Sequence, residues 1–206
     1  MERSQEEIAV VVFDLNGTFY NKSSKDEFYQ FILSKEPQRV HYFFQMMYYK
    51  ALKHLHRIRK TEFKENFFNY LDHLQPQQVE AYAREFWEQE YPKNFNKELL
   101  ERFDQLKAEG TQVYCATGGL ELYVRPLFSM YPINGFAGTR VRYENGTYKV
   151  IGKACKDEEK LERIARHFEG KPYRIKEAYS DSKELILDRA EKAFLVKDGS
   201  IVPYQR

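Results

Sequence analysis

Ile8-Ala9-Val10-Val11-Val12-Phe13-Asp14-Leu15-Asn16-Gly17-Thr18 is the stretch on which the fold turns. Ile8 to Phe13 is apolar throughout and largely β-branched, with no polar alternation. Such a run describes a strand covered on both faces, as in parallel sheets. It stops at a polar, glycine-containing turn, so the strand delivers Asp14 and Asn16 to its carboxyl end. Working outward, Gln112 to Ala116 is a second buried strand, ending at Thr117-Gly118-Gly119. Ile175 to Tyr179 leads into Ser180-Asp181-Ser182, and Ala193 to Val196 reads as a last short strand.

Helical patterns separate these strands. Phe95 to Glu109 carries Leu99, Leu100, Phe103 and Leu106 on one face and stops at Gly110. Leu120 to Tyr131 reads as a short helix, and Asp157 to Phe168 places Leu161, Ile164, Ala165 and Phe168 at helical spacing. Arg140 to Val150 is expected to be a hairpin, since Asn145-Gly146 is the strongest two-residue turn signal between strand formers. The alternation predicts an α/β fold with a doubly wound parallel sheet. Residues 23–91 break it, with helical stripes and no strand signal. Phe44, Met47, Ala51, Leu55 and Ile58 share one face; Phe63, Phe67, Tyr70, Leu71 and Leu74 form a second stripe; Val79, Tyr82, Ala83, Phe86 and Trp87 form a third, and Pro92 closes the block. An all-helical insertion after the first strand is expected.

The chain has 206 residues, 42% of them apolar and 31% charged, which permits a packed core and excludes disorder as the default. A net charge of +2 selects no partner globally. The two cysteines, Cys115 and Cys155, lie in no Cys-x-x-Cys or Cys/His pattern, so neither a zinc site nor a disulfide framework is expected. Asn-x-Ser/Thr triplets at Asn16, Asn21 and Asn145 carry little weight, because the N-terminus has no apolar signal region. Val40 to Tyr49 is too short and too polar to span a bilayer. The cytoplasm is the expected address.

Ligands of open α/β sheets bind at the carboxyl ends of the strands. Three such ends here carry Asp14 to Thr18, Thr117, and Ser180 to Asp181, and Lys160 sits near the start of the helix before the last. Two aspartates can share a hard cation through oxygen ligands. A cation, a lysine and a hydroxyl around one point make a site for a phosphoryl group.

In that order these segments resemble the four motifs of the haloacid dehalogenase superfamily: Val-Val-Phe-Asp14-Leu-Asn16-Gly17-Thr18, then Val113-Tyr-Cys-Ala-Thr117-Gly-Gly, then Cys155-Lys-Asp-Glu-Glu-Lys160-Leu161, then Ala178-Tyr-Ser-Asp181-Ser. The helical insertion lies where the phosphoserine-phosphatase-like branch of that superfamily places its cap. Tyr123-Val124-Arg125-Pro126-Leu127 and Tyr179-Ser-Asp-Ser look closest to its phosphatidylglycerophosphate-phosphatase-type members. The resemblance implies a core of residues 1–21 and 93–206 with a cap of residues 22–92. It implies a Mg²⁺-dependent phosphomonoester hydrolase in which Asp14 forms an aspartyl-phosphate. Thr18, Thr117, Gly118 and Lys160 would bind the phosphoryl group. Mg²⁺ would be held by Asp14, Asp181 and the backbone carbonyl of Asn16. Lys153 is a second candidate for the phosphate-binding lysine, at a less fitting spacing.

Two residues depart from the pattern. Asn16 stands where the superfamily keeps its general acid and base, and an amide can do neither task. A catalytically weak pseudo-phosphatase that binds a phosphorylated ligand or a protein partner is therefore the alternative, and a phosphotransferase a third reading. Leu185 stands where another acid is usual, with Glu184 one residue early. The substrate would be a small phosphorylated metabolite or a lipid phosphate, and no pattern points to nucleic acid. Lys50, Lys53, His54, His56, Arg57, Arg59, Lys60 and Lys64 crowd after the aromatic run Tyr42 to Tyr49. They form either the solvated face of a packed cap helix or a peripheral contact with an anionic membrane.

Overall fold

The computed structural model describes residues 7–205. Its centre is β1, Ile8–Phe13, whose last four residues are fully buried. Four helices follow with no strand among them: α1 (Ser24–Lys35), α2 (Tyr42–His54), α3 (Lys60–Phe67) and α4 (Pro76–Glu90), with short 3₁₀ turns at Pro37–His41 and Asn69–Leu71. The alternation then resumes with α5 (Lys97–Ala108), β2 (Gln112–Leu120), α6 (Glu121–Met130) and β3 (Gly135–Thr139). A hairpin of β4 (Val141–Glu144) and β5 (Thr147–Val150) comes next, followed by α7 (Glu158–His167), β6 (Tyr173–Ser180), α8 (Leu185–Asp188), β7 (Lys192–Lys197) and β8 (Ser200–Pro203).

The main sheet runs β3-β2-β1-β6-β7-β8 and is parallel except for β8, which pairs antiparallel with β7. The expected doubly wound α/β architecture, with a helical segment after the first strand, is thus present. β1 has β2 on one side and β6 on the other, so strand order reverses there. Phe13 lies opposite both Cys115 and Tyr179. That register brings Asp14, Thr117 and Asp181 to one end of the sheet. The alternating side chains of β1 feed two cores. Val11 and Phe13 join an aromatic layer with Phe19, Phe95 and Phe103, and Val10 and Val12 pack with Ile164, Phe168 and Ile186.

Local chemistry explains the boundaries. Asn96 caps α5 by accepting from Leu99 N at 3.2 Å, which moves the helix start two residues past the expected Phe95. Asn145 (φ 51°) and Gly146 (φ 81°) supply the two left-handed residues of the hairpin turn. Four expectations need correction. β2 continues beyond Thr117 to Leu120, with a register shift against β3 where the motif bulges. β3 was not expected, because two glycines dilute its strand signal. β7 is not the last strand, since β8 follows it at the sheet edge. The stripe Phe44, Met47, Ala51 and Leu55 does not face the core: those residues are exposed, while Met46 is buried and Tyr42, Tyr49 and Ile58 pack inward. The side chains of Lys60 and Lys64 lie outside the described residues.

The helical segment is joined to the rest at several points. Trp87 is fully buried and donates from Nε1 to Tyr123 O at 2.6 Å, tying α4 to α6. The hairpin closes on the other side: His73 N donates to Gly146 O at 2.7 Å, Tyr148 OH to Leu74 O at 2.8 Å, and Val150 N to Glu65 Oε1 at 2.8 Å.

Candidate active site

The loop after β1 is built to hold still. Asp14 N donates to Tyr179 O at 2.9 Å and Tyr20 N to Leu15 O at 2.8 Å, while Leu15, Phe19 and Tyr20 are buried as anchors. Gly17 sits at φ +69°, and a Cβ there would come within 2.8 Å of Asp181 Oδ2. A glycine is therefore needed both for the turn and for the approach of Asp181. At the neighbouring strand end, Thr139 is fully buried, donates to Gly118 O at 3.2 Å and accepts from Cys155 N at 3.1 Å. It fixes the bulge of β2 against the segment leading to α7. Asp157 begins that helix at φ +52°, an unusual conformation for a residue with a side chain. The first turn of α7 then points Lys160 inward.

Lys160 is the centre of the arrangement. Its ammonium is buried and lies 2.7 Å from Asp14 Oδ1 and 2.6 Å from Glu184 Oε2. Burial alone would push its pKa down, but the charges of Asp14 and Glu184 outweigh it and keep the lysine firmly protonated. Glu184 is pushed up, by burial first and by the charges of Asp14 and Asp181, against the pull of Lys160. Asp181 is likewise raised, by burial and then by Asp14. The acid that the sequence placed one residue early does face the site, whereas Leu185 is partly exposed to solvent.

Asn16 lies between the carboxylates and Thr117. Its Oδ1 accepts from Ser24 N at 2.7 Å, which fixes the amide orientation, since a backbone N–H can only donate. The Nδ2 then points to Thr117 Oγ1 at a long 3.4 Å. Thr117 Oγ1 also accepts from Gly119 N at 3.1 Å. With both contacts accepting, the hydroxyl proton of Thr117 is spent on neither of them.

These groups surround a cleft of about 220 Å³ lined by Asp14, Asn16, Gly118, Lys160, Asp181 and Glu184. Of the residues expected to bind substrate, Gly118 and Lys160 line it, whereas Thr117 and Thr18 do not, and Thr117 is fully buried beside the lining residues Asn16 and Gly118. Thr18 is fully buried, with its hydroxyl unpartnered. Lys153 is exposed on the surface, outside the cleft lining. Six lining residues were not foreseen: Ser23 and Lys25 from the helical segment, and Gly119, Tyr123, Lys156 and Ser182. Lys156 stood inside the quoted third motif but had no spacing argument of its own.

Asp14 and Asp181, both in the cleft lining, offer carboxylate oxygens of the kind a hard divalent cation takes. Burial and then the neighbouring Asp14 charge raise Asp181, and an added positive charge between the two would offset both. Among the described residues no group of three or more His, Cys, Asp or Glu side chains forms a ready-made metal cage.

The cleft thus lies at the switch point of an α/β sheet and sets the Asp14 carboxylate beside a buried ammonium. A family model described as haloacid dehalogenase-like hydrolase matches residues 11–184, and the chain belongs to that family. No curated protein matches it. Among solved structures, a protein of unknown function from Bordetella pertussis Tohama I is similar at a TM-score of 0.76 and 16% identity, over 91% of this chain and 89% of that one. A phosphoserine phosphohydrolase-like protein from Francisella tularensis is similar at 0.60 and 18%, over 90% and 86%. A phosphoserine phosphatase from T. onnurineus is similar at 0.57 and 15%, over 93% and 84%. At these identities the likeness is one of fold. No helix among the described residues is long and apolar enough to cross a membrane.

Proposed function

We propose that this chain hydrolyses phosphomonoesters through an aspartyl-phosphate on Asp14, with Mg²⁺ as cofactor. The observation that carries the reading is the buried Lys160 ammonium, 2.7 Å from Asp14 Oδ1 at the floor of the cleft. It holds the Asp14 carboxylate in place and offsets the charge that the incoming phosphate adds. Bound Mg²⁺, held by Asp14, Asp181 and the Asn16 carbonyl, would supply Lewis-acid charge beside the phosphoryl oxygens. Thr117 donates its hydroxyl proton to one of those oxygens. A carboxylate oxygen of Asp14 bonds to phosphorus as the phosphorus–alkoxide bond breaks, and the alkoxide takes a proton from solvent. Water then attacks the same phosphorus as the bond to the Asp14 oxygen breaks and loses a proton to solvent, which releases inorganic phosphate and returns the Asp14 carboxylate.

Residues 22–92 serve in this reading as the cap and residues 1–21 and 93–206 as the core, since Ser23 and Lys25 reach the cleft from the helical side. Lys25 and Lys156 place two further cations at the walls. They favour a substrate whose alcohol portion carries its own acceptors or negative charge, either a small phosphorylated metabolite or the headgroup of a lipid phosphate.

A second reading is favoured by one observation. Both ends of the Asn16 amide are engaged by the protein, so the position holds structure without offering a proton. A pseudo-phosphatase that only binds its phosphorylated ligand would need nothing more. The test is phosphate release from an aryl phosphate by this chain and by Asp14→Ala. Release that EDTA stops, Mg²⁺ restores and Asp14→Ala lacks is expected. Equal rates in the two proteins contradict the hydrolase. No turnover even in Asn16→Asp, with Mg²⁺-dependent phosphate binding intact, selects the pseudo-phosphatase.

A further inference from the structure

Helix α2 is apolar on two opposite faces. Tyr42, Met46 and Tyr49 pack toward the core. Phe44, Tyr48, Ala51 and Leu55, at steps of four, three and four, face outward together with Val40, Phe43 and Met47. The outward residues are well exposed, Phe44 at 75%, Leu55 at 61% and Tyr48 at 60%. A helix apolar all round is normally buried on all sides, and a contiguous exposed patch of this kind marks a contact surface.

The charge around the patch says what covers it. Residues 37–61 contain Arg39, Lys50, Lys53, Arg57, Arg59 and Lys60 and neither Asp nor Glu, so one short segment carries a formal +6 in a chain of net +2. Arg39 is spent inside the fold, donating to Tyr70 O and Asp72 O. Arg57 and Arg59 are exposed beside Leu55, along with His54 and His56. A second copy docked about a two-fold axis would set two such segments against each other, at a Coulombic cost. The cleft described above does not border this face. An anionic surface that takes large apolar side chains fits both the exposed patch and the cations beside it.

We propose that α2 and the basic segment after it form a docking surface for an anionic lipid bilayer. The outward aromatic and aliphatic side chains enter the headgroup–acyl boundary, and the arginines meet lipid phosphates. The surface is coupled to the cleft through ion pairs. Lys50 Nζ lies 3.2 Å from Asp26 Oδ1, and Asp26 Oδ2 lies 2.7 Å from Lys25 Nζ, a residue of the cleft wall. Docking therefore reaches one wall of the cleft through these ion pairs. It does so whether or not the hydrolase reading holds.

The test is co-sedimentation of the full chain with phosphatidylcholine vesicles and with vesicles rich in phosphatidylglycerol. Binding to the anionic vesicles at least about tenfold above the neutral ones is expected, falling several-fold as salt shortens the screening length. Phe44→Ser, Tyr48→Ser and Leu55→Ser combined should abolish it, and Arg57→Glu with Arg59→Glu should remove the preference for anionic lipid. All five positions are exposed, so circular dichroism and turnover of a soluble aryl phosphate should not change. Equal binding to both vesicle types, or binding to neither, overturns the proposal. So does dimerisation in sedimentation velocity that the triple variant removes while vesicles stay unbound, because the patch then belongs to a second copy. Capture of a soluble acidic protein by the same face, without vesicle binding, overturns it as well.

Discussion

Asn16 decides more than any other single residue. Its carbonyl oxygen caps the backbone at Ser24 and its amide nitrogen donates toward Thr117. An aspartate could keep the first contact with one oxygen. Its second oxygen would have to accept from Thr117, drawing that hydroxyl proton away from the phosphoryl group. Asn16→Asp thus trades a free donor for a proton carrier. General acid–base help is worth about 10²–10⁴-fold, so even with that trade turnover of an alkyl phosphate should rise at least about tenfold. An aryl phosphate, whose leaving group needs little protonation, should gain less. Steady-state kinetics on both substrates measures this, and an equal gain on the two would contradict the leaving-group argument. Gly17 makes a separate prediction. Gly17→Ala puts a Cβ into left-handed backbone and within 2.8 Å of Asp181 Oδ2. The backbone term alone costs about 1–2 kcal/mol, and Asp181 must move. Urea unfolding should show the loss of stability, and titration with Mg²⁺ should show weaker binding. A variant of normal Mg²⁺ affinity would mean that Asp181 does not hold the cation.

Between elements, the hairpin is the piece whose role the sequence did not announce. Asn145-Gly146 foretold the turn, but a turn signal says nothing of what the hairpin touches. In the structure it holds the helical segment through Tyr148, Val150 and Gly146. Tyr148→Phe keeps the ring and leaves the Leu74 carbonyl without its donor, a loss of about 1 kcal/mol. Hydrogen exchange should speed up in residues 65–75 while the amides of β1 and β6 stay protected. Uniform acceleration across both regions would show that the segment does not open separately. The same distinction between pattern and placement governed the other elements. β1 and the start of β2 were readable because a strand buried on both faces is apolar nearly throughout, whereas β6, broken by Arg174, Lys176 and Glu177, was placed by the Ser180-Asp181-Ser182 that ends it. β3 and β8 were not, because edge strands take their order from a neighbour and tolerate Gly135, Gly138 and Pro203. For α2 the period identified a face but could not say which way it looks. The candidate site was legible where a motif fixed a residue at a strand end, as with Asp14, Thr117 and Asp181. Lys25 and Lys156 reach the cleft only through tertiary packing, and no local spacing encodes that.

Across the whole molecule, layers are tied by carboxylates held below their ordinary range. Arg102 on α5 donates to Glu177 on β6 from Nε at 3.2 Å and also from Nη2, and Tyr179 OH donates to Glu177 Oε2 at 2.6 Å. Burial pushes Glu177 up, but the hydrogen bonds from Arg102 and Tyr179 outweigh it and lower the pKa. Glu159 is lowered by Arg163 in the same way. Asp26, at the junction of α1 and α2, is held at about 2 against burial by Lys25, Ser23 and Lys50. A depressed folded pKa contributes stability that is complete above the unfolded value and is lost as pH falls through the folded one. The window here opens near the ordinary carboxylate pKa of about 4 and extends downward. Acid should therefore loosen the α5–β6 and α1–α2 junctions together. Asp26 is exposed enough for solvent to screen most of its share, whereas Glu177 is buried and should dominate. Glu177→Gln keeps an acceptor for Arg102 and Tyr179 but removes the charge. At neutral pH it should cost about 1–3 kcal/mol, the worth of a hydrogen bond to a charged group. The deficit should shrink as pH falls below about 4, because the parent protein then loses the same charge by protonation. Urea unfolding of both proteins at neutral pH and at about pH 3 measures the two gaps. A deficit of the same size at both values would show that Glu177 stabilises the sheet by shape and not by charge.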